Sequence, residues 1–124
     1  MSVEGRLKEV GREDISVGDQ GKGIFRVSLG RQGPLAVSTK SAEELASLLS
    51  EKILHSQPKR IILDLSRVRY INSRALGVIA GKINRLVGRC GAELVLESPS
   101  PELLEVLRAT KVDRILEVTG KAAD

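Results

Sequence analysis

The sequence predicts a single α/β domain over residues 1–124, with a mixed central β-sheet and helices packed against it. Three observations point there. Residues 60–65 contain the run Ile61-Ile62-Leu63, apolar at successive positions like a central strand covered on both faces. Two segments carry apolar residues at helical spacing: Leu45, Leu48, Leu49 and Ile53, then Leu76, Ile79, Ile83, Leu86 and Val87. Strand-like and helix-like segments alternate, which implies parallel crossovers.

Taken in order, residues 1–23 are polar and Gly-rich, and Leu7, Val10, Ile15 and Val17 give only weak strand signals. Residues 24–29 alternate and are β-rich, and 30–34 form a loop. The first helix is expected near Ser41, where Ser41 and Glu44 fit a capping box, and to stop before Pro58. His55 near its end is expected at the surface, where a cation is favoured. After the strand at 60–65, Val68, Tyr70 and Ile71 extend the apolar content towards Asn72. A second helix starts at Asn72 or Ser73 and ends at Gly88 and Gly91. Residues 93–97 are a strand. A third helix follows Ser100, with Pro101 at its first position and Leu103, Val106 and Leu107 inward. Residues 114–118 close the domain as a short strand before a frayed tail. The expected order is β-β-α-β-α-β-α-β.

Composition narrows the function. The chain has 124 residues, 41% hydrophobic and 29% charged, which excludes collagen-like and strongly disordered classes. At this length it buries enough surface to fold without a metal or a disulfide. Cys90 is the one cysteine and His55 the one histidine, so no zinc set, His-based triad or resident cofactor is expected. Phe25 and Tyr70 are the only aromatics, which argues against nucleic-acid stacking. The longest apolar stretch, residues 75–81, is far short of a membrane span, and the charged N-terminus lacks a signal-peptide core. A soluble, cytoplasmic protein is expected.

The charge is uneven. Residues 1–58 carry eight basic and eight acidic side chains, residues 59–90 carry eight against one, and residues 91–124 carry four against seven. The basic middle third suits an acidic partner or a phosphate, or is simply a set of solvated side chains.

Catalytic and nucleotide motifs fail. The stretch 18–23, GDQGKG, lacks phosphate-loop spacing and opens no helix, and no G-x-G-x-x-G is present. Glu43, Glu44, Asp64, Glu93 and Glu97 make no acid/base or metal set. A binding or regulatory module is expected rather than an enzyme.

One junction stands out. The apolar strand ends at Asp64 and Leu65, and Asn72-Ser73 then open a helix. Sites gather at the carboxyl ends of strands in open α/β sheets. A phosphate on Ser73 would add about −1.5 to −2 charges near Arg69 and Arg74. The plain alternative is that Asn72 or Ser73 only caps the helix.

Residues 58–118 resemble a STAS domain, the fold of sulfate transporters and anti-sigma factor antagonists. The family core is an apolar strand ending D-L-S, a short hydrophobic turn, then Asp-Ser-[Ser/Thr]-Gly-Leu-Gly. Asp64-Leu65-Ser66, Tyr70-Ile71, Ser73, Leu76-Gly77, Gly91, Leu94-Val95-Leu96 and Leu107 match, and Gly30-Arg31 is similar to a looser upstream glycine motif. The resemblance implies a partner-switching regulator without cofactor or catalysis. It would bind an anti-sigma factor, usually a serine kinase, and separate from it once Ser73 is phosphorylated. A PP2C-type phosphatase would reverse the switch. The implied partner-binding residues are Asn72, Ser73, Arg74, Ala75, Leu76, Arg69, Gly30 and Arg31. Three departures stand in the motif: Asn72 replaces Asp, Arg74 replaces Ser/Thr and Ala75 replaces Gly. They favour the alternative, a non-switching scaffold or a subunit of a stress-signalling or lipid-transport complex.

Overall fold

A computed structural model describes residues 7–120. The expectations for residues 1–6 and for the tail at 121–124 lie outside the described residues, as does the side chain of Ile53. In chain order come β1 (Lys8–Glu9), a 3-10 turn (Arg12–Asp14), β2 (Ile15–Asp19), β3 (Ile24–Leu29), β4 (Leu35–Val37) and α1 (Thr39–Ser56). Then follow β5 (Arg60–Asp64), β6 (Val68–Ile71) and a helix over residues 73–89 in three parts: α2 (Ser73–Gly77), a π-helical segment (Val78–Ile83) and α3 (Asn84–Arg89). The chain closes with β7 (Glu93–Glu97), α4 (Pro101–Ala109), a 3-10 turn (Val112–Arg114) and β8 (Glu117–Thr119).

The α/β class and the mixed sheet are as expected, but the described strands form two sheets. The larger runs β2-β3-β5-β7-β8 and is parallel except for the β2–β3 hairpin. The smaller runs β1-β4-β6 and is parallel throughout. The sequence order omitted β4 and β6 as strands. Both are only three or four residues long, too short for a period to register. Their buried positions, Leu35 and Val37 in β4 and Val68 and Ile71 in β6, join the core.

One face of the larger sheet is the core. Val27 of β3 lies beside Leu63 of β5, and Leu63 beside Leu96 of β7. Leu45 and Leu49 of α1 and Ile79, Ile83 and Val87 of the long helix join them in one buried cluster. The other face corrects the reading of β5 as covered on both sides. Arg60, Ile62 and Asp64 alternate with buried Ile61 and Leu63 and are only half buried. Arg26, Asp64 and Glu97 share that outer side, and charged groups need solvent or a partner.

Several boundaries shift for local reasons. Helix α1 starts at Thr39, not Ser41, because Ser38 Oγ accepts from Ser41 N at 3.1 Å. Ser41 is therefore inside the first turn and makes no capping box; its buried hydroxyl donates to the Val10 carbonyl. Gly88 lies within α3, and Gly91 follows the helix with φ +76°. In α4, Ser100 Oγ accepts from Leu103 N at 3.1 Å and Pro101 is the first residue, as expected. Val106, expected inward, is 40% exposed. Leu103, Leu104 and Leu107 share an arc of about 100°, and Val106 falls outside it. The last strand is Glu117–Thr119 instead of 114–118, since a 3-10 turn takes up Arg114 and leaves Ile115 exposed.

The π segment was not foreseen, although its signal is present. Ala75, Ile79, Ile83 and Val87 are all buried and recur every four residues. In a regular α-helix that spacing drifts about 40° per step away from the core. A wider turn, closed by i→i+5 bonds, cancels the drift and keeps all four inward.

Candidate functional site

Chain direction builds the site. Strand β6 ends at Ile71, and Asn72 is the N-cap of the helix, with φ −75° and ψ 162°. Its Oδ1 accepts from Ala75 N at 2.7 Å and from Thr39 Oγ1 at 3.3 Å. Its backbone N–H donates to the Val37 carbonyl at 3.3 Å. One neutral amide thus joins the ends of β4 and β6 to the starts of two helices. Replacing such a cap by Ala costs about 1 kcal/mol. The cap role falls to Asn72, leaving Ser73 as the first helical residue.

Ser73 is exposed, and its hydroxyl has no hydrogen-bond partner among the described residues. Arg74 beside it is exposed and makes no ion pair with them. Ala75 and Leu76 are 0% and 4% exposed. Their side chains belong to the core. The accessible positions here are Ser73, Arg74 and Gly77.

The other implied residues stand elsewhere. Gly30 follows β3 with φ +71°, and a Cβ there would meet Leu35 Cδ1 at 2.8 Å, so the turn requires glycine. Its N–H donates to the Asp14 carbonyl at 2.6 Å, and its carbonyl accepts from Arg67 Nη1 at 3.4 Å. Arg67 precedes β6, whereas Ser73 follows it. Gly30 and exposed Arg31 therefore lie at the opposite end of β6 from Ser73, roughly 10 Å along the strand. Arg69 lines a groove of about 520 Å³ with Arg67, Gly33, Ser100 and Glu102, next to the Gly30 turn that Arg67 reaches. Of the eight residues, the structure gathers Asn72 to Leu76 and separates Arg69, Gly30 and Arg31 from them.

The basic middle third does not form one patch. Arg60 pairs with Glu117 at 2.9 Å and with Glu93 at 3.8 Å, both from the acidic last third. Lys82 pairs with Glu43 at 2.6 Å. Asp64 is a structural acid: its Oδ1 accepts from Ser66 N at 2.9 Å, and its Oδ2 lies 3.5 Å from Arg26. A hydrogen bond to Glu97, more than the nearby Asp64 charge, raises the Arg26 guanidinium above its usual value. His55 is exposed at the end of α1. Among the described residues no three His, Cys, Asp or Glu side chains gather to hold a metal. No helix among them is long and apolar enough to cross a membrane. The stretch 18–23 is the end of β2 and the turn of the β2–β3 hairpin, with Gly21, Lys22 and Gly23 all at positive φ.

Two features escaped the sequence reading. Thr39 reaches Asn72 only because β4 and β6 are neighbours. Ser73, Gly77, Gly81, Arg85 and Arg89 are spaced by four, like the buried positions, and so line up on the outer side of the helix.

The sequence profile of the STAS domain matches residues 29–123. Among solved structures, a candidate anti-sigma factor antagonist of Thermotoga maritima superposes with a TM-score of 0.70 at 20% identity, covering 90% of this chain and 91% of its own. The anti-sigma factor antagonist SpoIIAA in its unphosphorylated form gives 0.57 at 16% identity, covering 82% of this chain and 96% of its own. The Bacillus cell fate determinant SpoIIAA in its phosphorylated form gives 0.59 at 14%, covering 84% of this chain and 89% of its own. The family profile spans most of the chain and the neighbours share its fold: the chain belongs to the STAS domain family.

Proposed function

We propose that this STAS domain is an anti-sigma factor antagonist acting in the bacterial cytoplasm. It binds an anti-sigma factor that is a serine kinase, and phosphorylation of Ser73 releases it. A PP2C-type phosphatase returns it to the binding form. The observation that carries this reading is the exposed Ser73 hydroxyl at the strand-to-helix junction, without a partner among the described residues. SpoIIAA, which shares the fold, exists in unphosphorylated and phosphorylated forms, which supports it.

The physics is direct. A partner seated over Ser73 removes water from its hydroxyl at little cost. A phosphate there adds about −1.5 to −2 charges, which docking would have to desolvate. Burying that charge without a full set of partners costs several kcal/mol. Arg74, the adjacent exposed cation, would hold a phosphoserine by charge-assisted hydrogen bonds. The neutral Asn72 still caps the helix through its amide oxygen, so loss of the family's acid does not disturb the junction.

The second reading, a non-switching scaffold in a stress-signalling or lipid-transport complex, draws on the same Asn72. With no carboxylate beside Ser73, an acid that would assist an incoming kinase is missing. Capture from source-cell extract on wild-type, Ser73→Ala and Ser73→Glu baits, read by mass spectrometry, separates the two. The switch predicts a kinase-like anti-sigma factor on the first two baits and not on the third. The same partners on all three, with no phosphate on endogenous Ser73, would establish the scaffold.

A further inference from the structure

We infer that the outer face of the helix at residues 73–89 docks an acidic segment of a protein partner, held by Arg74, Arg85 and Arg89. This surface rests on the reading of Ser73 as the docking centre, and adds the sign of the partner's charge.

The helix carries Arg74, Lys82, Arg85 and Arg89 and not one acidic residue. Helix α1, of similar length, carries Glu43, Glu44 and Glu51 beside Lys40 and Lys52. Lys82 is neutralised by Glu43. Arg74, Arg85 and Arg89 are exposed and make no ion pair with any described residue. Arg85 and Arg89 line a groove of about 500 Å³ against α1, where the facing acids are Glu43 and Glu51. Those acids are already engaged, Glu43 by Lys82 and Glu51 by Arg12. Among the described residues, three cations of this helix are thus left without an ion pair.

The π segment sets their alignment. It holds Ser73, Gly77, Gly81, Arg85 and Arg89 on one line, about 17 Å from Ser73 to Arg85. Added side chains at Gly77 and Gly81 would meet nothing within 4 Å, so the line between Ser73 and the distal arginines is low and open. An acidic segment lying along it would meet Arg74 at one end and Arg85 and Arg89 at the other. A phosphate on Ser73 would compete for Arg74 and repel that segment. Release then comes from like-charge repulsion as well as desolvation. Three arginines with no aromatic among them fit a short acidic peptide better than a duplex, whose binding grows with the number of phosphates neutralised.

The test uses the full chain with isotope-labelled amides and a deca-glutamate peptide as probe, deca-glutamine being the neutral control. Low salt should give chemical-shift changes along residues 73–89 with the glutamate peptide alone, and high salt should remove them. Arg74→Glu and Arg85→Glu should each weaken binding roughly fivefold, as for one exposed ion pair, and Lys22→Glu on the hairpin should not. Shifts elsewhere, equal loss with Lys22→Glu, or tighter binding of duplex DNA or phosphatidylglycerol vesicles through the same arginines would overturn the acidic-partner surface. Loss with Arg85→Glu but unchanged binding by Ser73→Glu would keep the surface and overturn Ser73 as its switch. Weakening by Ser73→Glu alone would keep Ser73 and overturn the surface.

Discussion

The outer face of the larger sheet and the outer face of the helix at residues 73–89 both carry arginines, and they treat them differently. On the sheet, Arg26 lies between Glu97 at 2.5 Å and Asp64 at 3.5 Å, and Arg60 between Glu117 and Glu93. Parallel pairing puts acids from the next strand and the one beyond it within reach of each cation, so that face is neutralised from within. On the helix, no described acid pairs with Arg74, Arg85 or Arg89, and the two that face Arg85 and Arg89 are already paired. A surface that supplies its own counter-charges has little to gain from a charged partner, while one that lacks them gains when a partner brings them.

The largest test of this contrast is on the helix itself. Ile83 is 0% exposed, and Arg85, two residues on, is exposed. Ile83→Ala should lower the unfolding free energy by about 2–5 kcal/mol in urea titrations. Arg85→Glu should leave it within about 0.5 kcal/mol of wild type. A large loss from Arg85→Glu would mean that this arginine serves the fold and is not held for a partner.

The sheet pairs come next. A double-mutant cycle on Arg26→Ala and Glu97→Ala should return a favourable coupling of up to about 1 kcal/mol, as the pair is only partly shielded from water. A coupling of zero would remove the idea that this face balances itself.

Acid provides the smallest effect. Lys8 donates to Asp14 Oδ1 at 2.8 Å and Gly11 N to Oδ2 at 2.9 Å, and these bonds hold the Asp14 carboxyl below its ordinary 3.8. A depressed folded value means that the stabilisation is present above the unfolded value and is lost as pH falls through the folded one. Unfolding midpoints followed from about pH 6 down to about pH 2 should therefore fall less steeply in Asp14→Asn than in wild type. Identical slopes would show that this pair adds nothing.

Much of the fold was legible from local signals. The strands at 24–29 and 93–97 have the bounds expected from alternation and an apolar run, and Ser100-Pro101 open α4 as capping chemistry requires. Legibility failed where an element is short or where two signals compete. The smaller sheet went unread because strands of two to four residues carry no period. Ser38 rather than Ser41 caps α1: only Ser41 fits the S-x-x-E pattern, but its hydroxyl is drawn to the Val10 carbonyl, a contact made across 31 positions of chain. At the site, the motif named Asn72 to Leu76 alike; it does not say which side of a helix is inward, and the structure buries Ala75 and Leu76 while Ser73 and Arg74 stay exposed.

The order of residues alone determined that this chain makes an α/β domain with a helix opening at Asn72-Ser73, because apolar periodicity and capping act over a few residues. It also determined that the middle third is basic. Only the tertiary structure decided which of those charges meet an acid. Arg60 finds Glu93 and Glu117 through strand register, across 33 and 57 positions of chain. Among the described residues Arg74, Arg85 and Arg89 find none, and the acids that face Arg85 and Arg89 across the groove are already paired. Coulomb energy depends on distance in space, and separation along the chain does not report it.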